Sequence, residues 1–172
     1  HFPQLASLDL SKNQIKEIPN NFSKSFPNLH DLNLSYNFIS KLPEIPDDQT
    51  SENPIFPKTL KELNLSNNSI EKVTNSITSL TNLSILNLPY NLITNLPPLP
   101  QSIQKLNVMY NKVQTVEKNS MNLMKDFNLS RNELSEFPSE IKMPQNNAFI
   151  IDHNNIKEIT FKSFPMKKIL PK

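Results

Sequence analysis

Asparagine recurs at positions 13, 37, 68, 91, 111, 132 and 154, and the residues ahead of each one match. Leu5, Leu8, Leu10, Asn13 and Ile15 make the first copy, and Leu29, Leu32, Leu34, Asn37 and Ile39 the second. Leu60, Leu63, Leu65, Asn68 and Ile70 make the third, Leu83, Leu86, Leu88, Asn91 and Ile93 the fourth, and Ile103, Leu106, Val108, Asn111 and Val113 the fifth. Met124, Phe127, Leu129, Asn132 and Leu134 form the sixth. The seventh keeps Phe149, Ile151, Asn154 and Ile156 but opens on Asn146. An apolar residue trails each copy, at Ile18, Leu42, Val73, Leu96, Val116, Phe137 and Ile159. The asparagines are 24, 31, 23, 20, 21 and 22 residues apart. Units of this length cannot bury their apolar faces singly, so they must stack and share one core. Within each copy an apolar pair brackets a polar residue, the pattern of a short half-buried strand.

The repeated asparagine comes just after the expected strand, where peptide groups turn inward and need partners. Its amide carries donors and acceptors together and can satisfy that backbone from inside the turn. Asn13, Asn37, Asn68, Asn91, Asn111, Asn132 and Asn154 are therefore expected to form a buried structural ladder, not a binding site.

Composition removes much chemistry. The chain has no cysteine, which excludes disulfides, thiolate metal sites and cysteine nucleophiles and leaves the compartment open. It has no glycine either. Phosphate-cradling loops, dinucleotide fingerprints, nucleophile elbows and calcium loops all require one, because the backbone must turn tightly or approach the ligand closely. Turns must be shaped by asparagine, aspartate and the 15 prolines instead. A net charge of +2 gives no strong field for nucleic acid, and no apolar run is long enough to span a bilayer. His1, His30 and His153 occupy different places in the repeat and form no metal-ligand cluster. Asp47/Asp48, Glu133/Glu136 and Lys167/Lys168 read as solvated charge. The sequons at Asn21, Asn33, Asn64, Asn67, Asn82 and Asn128 arise largely from the repeat itself and do not establish secretion. No catalytic residue, cofactor or metal is expected.

Seven Leu-x-x-Leu-x-Leu-x-x-Asn-x-Ile units in register resemble the leucine-rich-repeat family across nearly the whole chain. The resemblance implies one domain over residues 1–172, with repeats starting near 5, 29, 60, 83, 103, 124 and 146. It implies an α/β-type right-handed horseshoe, with a parallel sheet on the concave side and a mostly irregular, 3-10 or polyproline-like convex side. The 24-residue first unit carries Phe22 and Phe26, expected to plug the convex side. Short backings such as Leu96-Pro-Pro-Leu-Pro leave room only for extended chain, so helix should be scarce. The long interval holds an acidic, proline-rich insertion over 43–59, expected as a surface loop. His1-Phe-Pro-Gln-Leu5 and Ser163-Phe-Pro-Met166 both look like repeat tails, the expectation for a piece of a longer protein.

Residues between the leucines should face outward and line up across the sheet. One such row is expected to read Asp9, Asn33, Asn64, Asn87, Asn107, Asn128 and Asp152. A second, just before the turn asparagine, reads Lys12, Tyr36, Asn67, Tyr90, Tyr110, Arg131 and His153, and holds every tyrosine of the chain. Tyrosine and arginine offer large contact area with a polar tip and are enriched in binding hot spots. With Phe38, Ile85, Leu92 and Met109 nearby, Tyr36, Tyr90, Tyr110 and Arg131 form the expected protein-binding patch.

The resemblance thus implies a monomeric, non-catalytic protein-interaction module with a protein partner, no nucleic acid and no membrane insertion within this segment. Asn-Leu-Ser-x-Asn-x-Ile units with trailing Leu-Pro are similar to intracellular signalling repeats, which leans the expected compartment toward the cytoplasm. The first two units look equally like receptor-ectodomain repeats, so a regulatory or ectodomain segment of a larger kinase, phosphatase or cyclase is an alternative. Leu96-Pro-Pro-Leu-Pro-x-x-Ile103 resembles the units of secreted effectors, a third.

Overall fold

The computed structural model describes residues 1–45, 54–117, 123–139 and 148–159. Each repeat contributes one three-residue strand: β1 Ser7–Asp9, β2 Asp31–Asn33, β3 Glu62–Asn64, β4 Ile85–Asn87, β6 Lys105–Asn107, β8 Asp126–Asn128 and β9 Ala148–Ile150. These pair in parallel, in chain order, as a seven-stranded sheet. Their register puts like on like: Leu32 opposite Leu63, Leu63 opposite Leu86, Leu86 opposite Leu106. A one-residue slip would turn every leucine to solvent, so the shared pattern fixes the pairing.

Behind the sheet runs one continuous apolar core, including Leu29, Leu32, Leu34, Ile39, Leu63, Leu86, Leu106 and Phe127. Each inner asparagine bridges two coils. Asn91 Nδ2 donates to the carbonyls of Leu88 and Pro89 in its own turn and of Leu65 in the coil before. Its Oδ1 accepts from the Ile70 N–H of that preceding coil. Asn37, Asn68, Asn111, Asn132 and Asn154 repeat the pattern, accepting from Ile15, Ile39, Ile93, Val113 and Leu134. Asn13 differs. It is exposed and donates only to Leu10 and Ser11 of its own turn.

Opposite the sheet the described residues are mostly irregular, with two four-residue helices among them, α1 Phe22–Ser25 and α2 Asn75–Thr78. A short parallel pair, β5 Asn95–Leu96 with β7 Thr115–Val116, was not expected from the sequence. It forms where two short backings run side by side and their backbone groups satisfy each other. Among the described residues no helix is long and apolar enough to cross a membrane.

The end of the insertion departs from the surface loop expected. Residues 46–53, with Asp47 and Asp48, lie outside the described residues, as do Asn146 and the stretch holding Lys167 and Lys168. The end of the insertion returns to the core: Ile55, Phe56 and Pro57 are all buried, Phe56 completely. The Phe56 ring lies 6.1 Å from that of Phe22, which packs 4.8 Å from Phe26, and Phe26 stacks on Phe2. Proline and acid content hid these three residues because they are too few to carry a period. Ile159, the last of the trailing apolar row, is exposed, with no described coil over it.

Candidate protein-binding face

Five of the seven sheet strands end in the same way. The outward Asn or Asp turns its side-chain oxygen to the backbone N–H two residues on: Asp9 to Ser11, Asn33 to Ser35, Asn64 to Ser66, Asn107 to Met109 and Asn128 to Ser130. This side-chain bond replaces a backbone one and bends the chain off the sheet. The fourth coil lacks this bond, because Pro89 stands at the equivalent place and has no N–H to donate. Asp9 has its carboxyl held below the usual range by the Ser11 hydroxyl and N–H, then by Asn33 and Lys12.

The seventh member of this row is corrected by the structure. Asn128 pairs with Ile150, not with Asp152, because Phe149 lies opposite Phe127 and alternation puts residue 150 outward. Asp152 stands two residues later, where its carbonyl accepts from the Arg131 N–H and its carboxylate pairs with His153.

The residue before each turn asparagine adopts a left-handed backbone: Lys12, Tyr36, Asn67, Tyr90, Tyr110, Arg131 and His153 all have φ between 53° and 56°. Glycine would do this at no steric cost; here six of the seven are long or aromatic side chains. The N–H of each of the first six donates to a carbonyl of the next coil, Tyr90 to Met109 and Tyr110 to Ser130 among them. Backbone bonding thus fixes the direction in which each side chain leaves the turn.

In the fourth to sixth coils those side chains meet. The rings of Tyr90 and Tyr110 stack with centroids 4.5 Å apart and planes 13° from parallel. The Arg131 guanidinium carbon lies 4.9 Å from the centroid of Tyr110. Tyr110, covered on both faces, is 38% exposed, while Tyr90, with one face open, is 46% exposed. Tyr36 is exposed but separated from this stack by the Asn67 coil. Phe38 and Leu92 are exposed just after their turn asparagines. Met109 is half-buried, its sulfur 3.8 Å from Asn128 Nδ2. Ile85 lies apart, half-buried in the middle of the sheet between Glu62 and Lys105. The sequence brought these residues to one surface; it did not show which of them touch.

A parallel-stranded solenoid whose coils are bridged by buried asparagines, with a row of large side chains displayed from one turn, is a repeat scaffold. Models of leucine-rich repeats match residues 3–47 and 59–80. The chain is a leucine-rich-repeat protein. It is 29% identical over 136 residues to Epiphycan of Gallus gallus, covering 77% of this chain and 40% of that protein. It is 31% identical over 135 residues to Protein NUD1 of Saccharomyces cerevisiae, covering 77% of this chain and 14% of that one. The chain therefore spans less than half the length of either relative. A solved leucine-rich-repeat protein of Leptospira interrogans, LIC12759, superposes with a TM-score of 0.46 at 20% identity, over 91% of this chain and 51% of that one. Proteins of this family are in general non-catalytic modules that bind other proteins.

Proposed function

We propose that this chain is a non-catalytic protein-recognition module, with Tyr90, Tyr110 and Arg131 at the centre of its contact. Tyr36, Phe38, Leu92 and Met109 flank them, and Ile85 adds a separate apolar contact in the middle of the sheet. The observation that carries this reading is the exposed Tyr90–Tyr110–Arg131 stack on backbones already fixed by coil-to-coil hydrogen bonds. Side chains ordered before a partner arrives lose little entropy on binding, so their area converts efficiently into affinity.

The test uses the chain as bait, identifies captured proteins by mass spectrometry, and remeasures the specific one against Tyr90→Ala/Tyr110→Ala. Affinity should fall by more than about thirtyfold, the cost of losing a hot-spot pair, with a nearly unchanged melting curve. Equal affinity for the double variant would move the contact off this face.

A further inference from the structure

The third coil interrupts two rows at once. Before the turn asparagines the order is Tyr36, Asn67, Tyr90; after them it is Phe38, Ser69, Leu92. Asn67 and Ser69 are half-buried, whereas the four residues flanking them are exposed. The large side chains of the second and fourth coils therefore stand on either side of a notch floored by an amide and a hydroxyl. Two coil spacings separate its walls, about 9.6 Å. That width takes one planar group between two ring faces at ordinary stacking distances. The Asn67 side chain makes no hydrogen bond among the described residues, and the face of Tyr90 turned away from Tyr110 looks into the notch.

We propose that this notch receives an arginine side chain from the protein partner, which supplies the missing rung of the ladder. This rests on the reading of the face as a protein-binding surface. Two observations select arginine. The chain already builds the same contact for itself beyond Tyr90, where the Arg131 guanidinium lies over Tyr110. A guanidinium on the open face of Tyr90 repeats that arrangement and directs its N–H groups to the Asn67 amide oxygen. The second is charge. A hollow of about 240 Å³ on the strand face of the first three coils is lined by Ser7, Asp9, Asp31, Asn33, Glu62 and Asn64 among others, with three carboxylates and no cation. None of the three is in an ion pair among the described residues. A basic segment crossing the first three coils finds carboxylates there and a planar slot beside them. Lysine has the charge without the plane, and phenylalanine the plane without the charge.

The probes are the capped tripeptides Ac-Gly-Arg-Gly-NH2, Ac-Gly-Lys-Gly-NH2 and Ac-Gly-Phe-Gly-NH2, titrated into the whole chain while the tyrosine ring resonances are followed by NMR. The arginine peptide should shift Tyr36 and Tyr90 and bind about fivefold more tightly than the lysine peptide. Asn67→Tyr, which fills the notch from within, should abolish those shifts and leave the melting temperature unchanged. Equal or stronger shifts with the lysine or phenylalanine peptide, no shift with arginine, or full binding to Asn67→Tyr would overturn the assignment. If Asn67→Tyr lost stability, Asn67→Phe and Ser69→Leu would be read in its place for the same loss. Should Tyr90→Ala/Tyr110→Ala abolish capture of the partner while the notch-filled variant retains it, the recognition face stands and the arginine slot falls.

Discussion

At the residue scale, three side chains decide how each coil joins the next. The turn asparagine satisfies backbone groups of two coils at once, and Asn91 is buried with every polar atom engaged. Asn91→Leu removes those bonds without removing the peptide groups they served. It should cost about 1–3 kcal/mol, read from the urea midpoint, and a midpoint equal to the parent's would contradict the structural role. This asparagine was legible in the sequence because it repeats in register. The left-handed residue before it was not, since Lys12, Tyr36 and Arg131 carry none of the signal a glycine would. Lys12 is exposed and makes no ring contact among the described residues, so its strained backbone is its main expense. Lys12→Gly should raise stability by about 0.5–1 kcal/mol, relief of the left-handed strain exceeding the lost chain entropy, while Lys12→Ala stays neutral. Asp9 adds a pH dependence. Its folded carboxyl titrates below its ordinary value, so its contribution is present above that value and lost as pH falls through the lowered one. Asp9→Asn keeps the acceptor for Ser11 and resembles the five coils that already use asparagine there. Between about pH 5 and pH 2 its melting temperature should fall less steeply than the parent's.

At the scale of elements, the strands and the irregular character of their backing were legible, whereas the residues that fill that backing were only partly so. Period-two alternation placed β1 to β4, β6, β8 and β9, because each strand buries one face and repeats seven times. The insertion misled because its composition resembles a loop throughout, whereas Phe56 is set by what lies behind it: a space beside Phe22 in a coil longer than most. Filling that space is a matter of volume, and volume leaves no periodic trace. Phe56→Ala opens a cavity in the second coil and should cost about 3–5 kcal/mol. Phe38→Ala, at an exposed position, should change stability by less than about 0.5 kcal/mol. Similar losses for both phenylalanines would mean that Phe56 is not in the core. The helices behave like the insertion. Within α2, the Asn75 side chain bonds both backbone groups of Ile45 in the coil before, so neighbouring coils as well as the helix's own bonds place this element.

At the scale of the whole molecule, contact between elements among the described residues is confined to adjacent strands of the ladder and to the β5–β7 pair. Stability in such an array is close to a sum of coil terms and neighbour interfaces. Leu65, Leu88 and Val108 sit in coils covered on both sides and are completely buried, whereas Leu10 and Ile151 in the outer coils are only half-buried. Opening should therefore begin at the ends and reach the middle last. Native-state hydrogen exchange can track this through the coil-to-coil donors Leu10, Leu65, Leu88, Val108 and Leu129, whose N–H groups all bond the next coil. The amides of Leu65, Leu88 and Val108 should exchange slowest, with that of Leu10 faster by an amount that grows as denaturant is withdrawn. Uniform protection from Leu10 to Leu129 would instead mean that the array opens all at once. The gradient bears on recognition as well. Tyr90 and Tyr110 belong to the coils expected to open last, so the stack would remain assembled while the outer coils fluctuate, and a partner would meet a surface already in its bound form.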